Sequence, residues 1–349
     1  MPQLRRRIGT ETEENRRLTR GRLAIVRLLI LGLIMLASAC GGGGGGGGIG
    51  VTPPPGGPGV PDLGPNASLN GKQVFPSSDP WNSPIDSSPV DPNSDNLIGS
   101  IGLAKGLHPD FGANYNGGPF GIPYIVVTGG QTKVAVTFDY ADESDPGPYP
   151  VPANAPIEGG AGSTGDRHVL VLDRDNWKLY EMYSAYPQPD GSWHAGSGAI
   201  FDLTNGTTRP AGWTSADAAG LPIFPGLARY DEVAAGVINH ALRFTVSNSR
   251  HAYVAPARHF ASSSNNVNLP PMGMRVRLKA NFDVSTFPPS AQVVLKALKK
   301  YGMIVADNGS DWYISGVPDA RWNDDELNTL KTVQGSNFEV VQMGVVTTN

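Results

Sequence analysis

Residues 166–183 read Asp-Arg-His-Val-Leu-Val-Leu-Asp-Arg-Asp-Asn-Trp-Lys-Leu-Tyr-Glu-Met-Tyr. Two short apolar runs flank a polar centre at Asp175-Asn176, the pattern of two strands joined by a tight turn. A two-residue turn there sets Leu170 opposite Glu181 and His168 opposite Tyr183. Because strand side chains alternate, His168, Leu170, Leu172, Leu179, Glu181 and Tyr183 then share one face. A carboxylate among leucines is costly unless it is paired. Histidine beside glutamate suits general acid–base chemistry or metal ligation, and equally a buried structural hydrogen bond.

The same period-two grammar extends outward from about Lys72 to Thr286. Short apolar segments recur at Tyr124 to Val127, Lys133 to Phe138, Ala241 to Val246, Ala252 to Ala255 and Met274 to Ala280. Turn signals such as Asp190-Gly191 and Asn205-Gly206 separate them, and helical periodicity is largely absent. These features predict a mainly β body: a sandwich, jelly roll or barrel. Residues 287–349 change character. Ala291, Val294, Leu295 and Leu298 mark one face of a helix over Ser290 to Tyr301, and Gly302 follows as its stop. Met303 to Ala306 and Trp312 to Ser315 read as a hairpin around Asp307-Asn308-Gly309. Asn323 to Glu326 has capping-box spacing, with Trp322 and Leu327 placed as a hydrophobic staple. With a last strand from Phe338 to Val341, this makes a small α+β appendage docked on the body.

Ahead of the body, arginines precede an apolar run from Leu28 to Ala37, and Ala37-Ser38-Ala39 leads to Cys40. That is a signal segment with a short h-region, too short to span a bilayer. The residues resemble the lipobox of bacterial lipoproteins, with Ala37 at the position where leucine is usual. The resemblance implies a signal peptide over 1–39 and a diacylated, palmitate-bearing Cys40. Eight glycines (Gly41 to Gly48) and a Pro/Gly-rich stretch read as a flexible tether through residue 71. Cys40 is the single cysteine of the chain, which excludes an internal disulfide framework. The expected address is extracytoplasmic, anchored in membrane lipid through Cys40, and the outer membrane if the cell has one.

Eight arginines against three glutamates leave residues 1–40 at +5, so the whole-chain charge of −4 conceals a remainder at −9. An acidic body argues against nucleic acid as a partner. The run Gly160-Ala161-Gly162-Ser163-Thr164-Gly165 matches the dinucleotide fingerprint by letter, but a strand and not a helix follows it, so no nucleotide is expected. No cofactor motif is present.

Five of the six histidines lie between residues 168 and 259, without H-E-x-x-H or zinc-knuckle spacing. His240 alternates with Leu242, Phe244 and Val246, the pattern of a satisfied core histidine. Between His194 and Asp231 runs a loop-like segment rich in aromatic and charged residues, and long loops are commonly functional. Tryptophan beside arginine and carboxylates suits sugar rings. Val74-Phe75-Pro76, Pro156 to Gly160, Gly165 to His168, Trp213 to Pro222 and Tyr301 to Asp311 resemble a group of secreted bacterial proteins, a resemblance that implies no activity.

The leading expectation is a carbohydrate-active enzyme, a polysaccharide hydrolase or lyase. His168 and Glu181 form its acid–base pair, and Asp166 or Asp217 supplies a second carboxylate. Trp193, His194, Trp213, Arg229 and Asp231 contact substrate. Two alternatives stand beside it: a non-catalytic lipoprotein that binds a surface glycan or cell-wall component, and a metal enzyme using His168, Glu181 and His240.

Overall fold

Strands Val169–Asp173 and Lys178–Tyr183 pair antiparallel, with Leu170 opposite Glu181 and Leu172 opposite Leu179, the register expected from the alternation. The connection is four residues long, and Asp173 closes it. Its carboxylate accepts the backbone N–H groups of Asp175 (3.1 Å) and Asn176 (3.0 Å) and the Asn176 side-chain amide (2.8 Å). This computed structural model describes residues 58–206 and 209–348, all within one unit, Pro53–Asn349. The signal segment and Cys40 lie outside the described residues.

The hairpin lies within a five-stranded sheet. Tyr124–Val127 runs parallel to Val169–Asp173, Gly64–Pro65 forms one edge, and Ser197–Asp202 pairs with Lys178–Tyr183 to form the other. Both faces are covered, so the layering is sandwich-like. Leu170, Leu172 and Leu179 enter the main core. Val169, Val171, Tyr180 and Met182 pack in a smaller core with Tyr149, Val151 and Trp193.

A second, six-stranded sheet curls into a half-barrel. Its order is Phe338–Val340, Arg275–Leu278, Met303–Asn308, Leu242–Val246, Tyr313–Ser315 and His108–Asp110. Leu242, Phe244 and Val246 are buried in the main core. Alternation therefore turns Arg243 and Thr245 to the other face.

Two sequence expectations are corrected here. Met303–Asn308 and Tyr313–Ser315 do not form a hairpin, because Leu242–Val246 lies between them, parallel to the first and antiparallel to the second. The turn reverses the chain as its residues require, but a fully buried strand must satisfy hydrogen bonds on both edges, and these two strands supply them. Consequently the C-terminal segment is woven into the half-barrel rather than docked on it. Residues 58–71, read as the end of the tether, also belong to the fold. Leu69 is buried, Asn66 N–H donates to the Tyr124 carbonyl, and Arg174 donates to the Pro61 carbonyl at 2.6 Å.

The helix expected near the C-terminus spans Pro289–Lys300 and buries Ala291, Val294, Leu295 and Leu298. Gly302 stops it with φ +68°, where a Cβ would lie 2.3 Å from the Val276 carbonyl oxygen, so no other residue fits this corner. Asn323 caps the following helix, Asp324–Asn328, by accepting the Glu326 N–H at 3.2 Å. A short helix, Ser94–Ile101, carries too few turns to announce itself by period; it buries Leu97, Ile98 and Ile101.

Candidate functional site

The polar face of the half-barrel organises the charged residues in rows. Asp110 pairs with Ser315, and the next rung of the same ladder sets Ser315 beside Arg243, whose Nη1 donates to the Ser315 hydroxyl. The adjacent row runs His108, Tyr313, Thr245, Asp307. Directly opposed residues project to the same side of a sheet, so both rows share the face turned away from the main core.

Arg243 is the hub. It is 4% exposed and its guanidinium forks onto Asp217, which is fully buried, with Nε–Oδ2 2.9 Å and Nη2–Oδ1 2.7 Å. Burial opposes the Arg243 charge, but Asp217 overrides it and holds the guanidinium protonated more firmly than usual. The charge reaches further, lowering the carboxyl values of Asp110, Glu158 and Asp307 and disfavouring a proton on His168.

Facing this sheet is the loop that carries Glu158. His168, 3% exposed, sits behind it, with Nδ1 2.6 Å from Glu158 Oε2 and Nε2 3.2 Å from the Ala216 carbonyl oxygen. Both ring nitrogens meet acceptors that have no proton to give, so both must be donors and the ring is an imidazolium. Burial alone would lower its pKa; the charge and hydrogen bond of Glu158 outweigh that and push it up to about 9. Burial likewise raises Glu158, and His168 more than offsets it, holding the carboxylate below the usual range.

The glycine-rich run 159–165 now has a structural task. Gly159 and Gly160 adopt positive φ, and the loop is pinned by Arg167, which donates to the carbonyls of Ala161 (2.8 Å), Ser163 (2.9 Å) and Ala185 (3.1 Å). The loop thereby delivers Glu158 to His168.

Asp110 and Glu158 both line a groove of about 1080 Å³. The two-stranded ribbon Gly112–Tyr115 and Gly118–Phe120 overhangs it. Tyr115, 66% exposed, lies 5.6 Å from Phe120 between ring centroids. Arg321 is held by Asp319 through two bonds of 2.8 and 2.5 Å at the groove wall. Asp110 faces this groove. Desolvation by the walls, then the charge of Glu158, raise its carboxyl above the ordinary value. Asp307, at the end of its strand, is pushed up to about 7 by burial and by the Asp217 charge.

The ligand atoms of Glu158, Asp166 and His168 lie within 4.8 Å of one another. With both His168 protons committed to oxygens, the imidazolium occupies the role that a metal cation would play between these carboxylates.

The residues named from sequence separate into several places. His168 and Asp166 are at the site. Glu181 is not the partner of His168: it is fully buried, and its carboxylate accepts the N–H groups of Ile223 (Oε2, 2.9 Å) and Phe224 (Oε1, 2.9 Å) at the start of the 3-10 turn Phe224–Gly226. Burial pushes its pKa up to about 7 against those hydrogen bonds. The shared hairpin face was read correctly, but His168 stands just before the strand and turns to the 156–160 loop. Asp217 is spent on Arg243. Trp193 is a core residue. His194 is bonded to Thr137 at 3.0 Å and lies 3.2 Å from Asp139, and Trp213 sits beside Arg209. Arg229 and His240 converge on Glu232 instead, with His240 Nε2 3.2 Å from its carboxylate. The proposed metal set of His168, Glu181 and His240 is therefore not assembled. Asp231 accepts Ser68 Oγ at 2.9 Å and the Leu69 N–H at 3.2 Å, fastening residues 58–71.

Asp110, Glu158, Arg243 and Asp307 escaped the sequence reading. Arg243 alternates with Leu242 and Phe244 as any solvent-facing charge does, and Glu158 lies in an aperiodic Pro/Gly loop. The one local hint was His168 itself, a histidine in need of a carboxylate.

No protein-family model matches the sequence, no curated protein is significantly similar to it, and no solved structure matches it significantly.

Proposed function

We propose that the chain is an exported hydrolase of glycosidic bonds, working on a polysaccharide in the groove under the Tyr115–Phe120 ribbon. Asp110 is the general acid and Glu158 the base or nucleophile. One observation carries this reading: two carboxylates share an open groove, and their surroundings push them in opposite directions, Asp110 toward the protonated form and Glu158 toward the ionised one. Such splitting is what assigns acid and base roles to like groups, and glycoside hydrolysis generally uses two carboxylates. His168 is a positioning residue that keeps Glu158 charged and aimed. The exposed Tyr115 ring supplies a plate for a sugar face, and sugars are bound by aromatic bodies with a few polar anchors.

The charge of the groove favours a hydrolase over a lyase acting on uronates. Asp110, Glu158 and Asp319 line it, and the one cation among the described residues that line it, Arg321, is tied to Asp319, so a polyanion meets repulsion. A neutral polymer fits.

Asp110→Asn tests the assignment with little structural disturbance, because that side chain faces the groove. Turnover on the active glycan should fall at least about a hundredfold, as loss of a general acid generally costs, with the melting temperature little changed. An unchanged rate sinks the assignment. If wild-type protein binds a glycan without cleaving any, the groove serves binding alone. Anchoring through Cys40 belongs to the same proposal. Mass spectrometry of the mature N-terminus from membranes should find Cys40 as the first residue carrying acyl chains, and a free or absent Cys40 refutes it.

A further inference from the structure

We propose that the stacked pair His108–Tyr313 is a second sugar subsite of the same groove, so that a polysaccharide lies across Asp110 and is cut at internal bonds. This rests on the hydrolase reading above and adds the mode of attack and the residues that set it.

The groove continues past Asp110. A hollow of about 440 Å³ on the far side of the ribbon shares Asp110, Tyr115 and Phe120 with it. A shallower hollow of about 510 Å³ shares His108 and Tyr313 with that second one. Asp110 therefore stands partway along a trough with room on both sides. An enzyme that trims chain ends needs a blind wall beside its acid, and this trough supplies space there instead.

On the far side the rings of His108 and Tyr313 lie 4.0 Å apart between centroids and 11° from parallel. Their strands are neighbours in register, and both rings belong to the polar face, while Pro109 and Ile314 between them point inward. His108 precedes Asp110 by two residues on that face, roughly 6.6 Å at 3.3 Å per residue. Among the described residues, no hydrogen bond engages a ring nitrogen of His108 or the Tyr313 hydroxyl. Burial, then the charge of Lys331, hold His108 below the ordinary imidazole value, so the stack is an uncharged plate with polar edges. Asn328 and Lys331 flank it on one side and Ser310 on the other. Each ring has one face taken by the other, so a pyranose lays its C–H face on the outer face of one ring and its hydroxyls on the rim.

The test uses purified full-length protein on neutral polymers: mixed-linkage β-glucan, xylan, arabinan and galactomannan. On whichever is cleaved, viscosity should collapse well before reducing ends accumulate. Tyr313→Ala should raise KM for the polymer about tenfold, the worth of one good aromatic contact, and leave kcat within about twofold, the split expected when binding alone is lost. Tyr313→Phe should behave as wild type in folding and keep most of the polymer affinity. Release of single units from chain ends, or an unaltered polymer KM in Tyr313→Ala, overturns the subsite while leaving Asp110 and Glu158 in place. No cleavage of any of the polymers overturns both.

Discussion

Asp217→Asn is expected to lower stability by about 3–5 kcal/mol, the cost of breaking a buried ion pair from one side. The substitution keeps volume and shape, so what it removes is charge. Arg243 cannot shed its proton in response, and at 4% exposure it cannot reach water. It is left with Ser315 and the more distant fields of Glu158 and Asp307. Urea denaturation of the variant should show a lower midpoint with an unchanged slope. The double variant Asp217→Leu with Arg243→Met removes the stranded charge and should recover much of the loss. A double variant as unstable as the sum of the two single ones would show that the pair is not a unit.

The second large effect is a loss of stability in mild alkali. His168 holds its proton to about 9 in the folded protein, against 6.5 for an ordinary imidazole. Folding is therefore favoured by its proton, with the full contribution present below pH 6.5 and lost as the pH climbs through 9. The shift corresponds to roughly 3 kcal/mol. Glu158 is the other end of the same contact with the opposite sign: its folded value lies below 4.5, so its share is present at neutrality and is lost on acidification. Glu181 adds a separate decline. Burial raises its value to about 7 from 4.5, so ionising it costs stability across that window. Denaturation midpoints should thus fall from about pH 5 upward, and His168→Gln should flatten the part between pH 6.5 and 9. A wild-type profile already level over that range would rule out a buried imidazolium.

How much of this could be read in advance depended on whether the cause was local. The register of Val169–Asp173 against Lys178–Tyr183 followed from alternation because both strands bury the same leucines. The helix Pro289–Lys300 and its glycine stop followed from a strong 3.6 period. Glu181 was rightly marked as a carboxylate needing partners, but these are backbone N–H groups of a turn more than forty residues on, which no side-chain pattern announces. His168 was marked as a histidine with a carboxylate partner, and that partner came from a loop, Glu158 in place of Glu181. The row Asp110, Ser315, Arg243 unites three distant strands, and each of these residues alone reads as an ordinary polar position. The Met303–Ser315 reversal shows the same limit: turn chemistry fixed the change of direction, while the neighbours of each strand were decided by the sheet.

That sheet order governs when the protein can acquire its groove. Among the described residues, Leu242–Val246 has no edge partner from earlier in the chain, and both of its neighbours lie in the C-terminal segment. His108–Asp110 in turn joins the sheet, among the described strands, through Tyr313–Ser315. Until the residues beyond 300 are present the central strand lacks its sheet neighbours, and pairings this far apart in sequence are slow to close. The two carboxylates come to share a groove only when the segment through Ser315 has arrived. A chain ending short of Tyr313 would keep Glu158 beside His168 while leaving His108–Asp110 without the strand that holds it in the sheet.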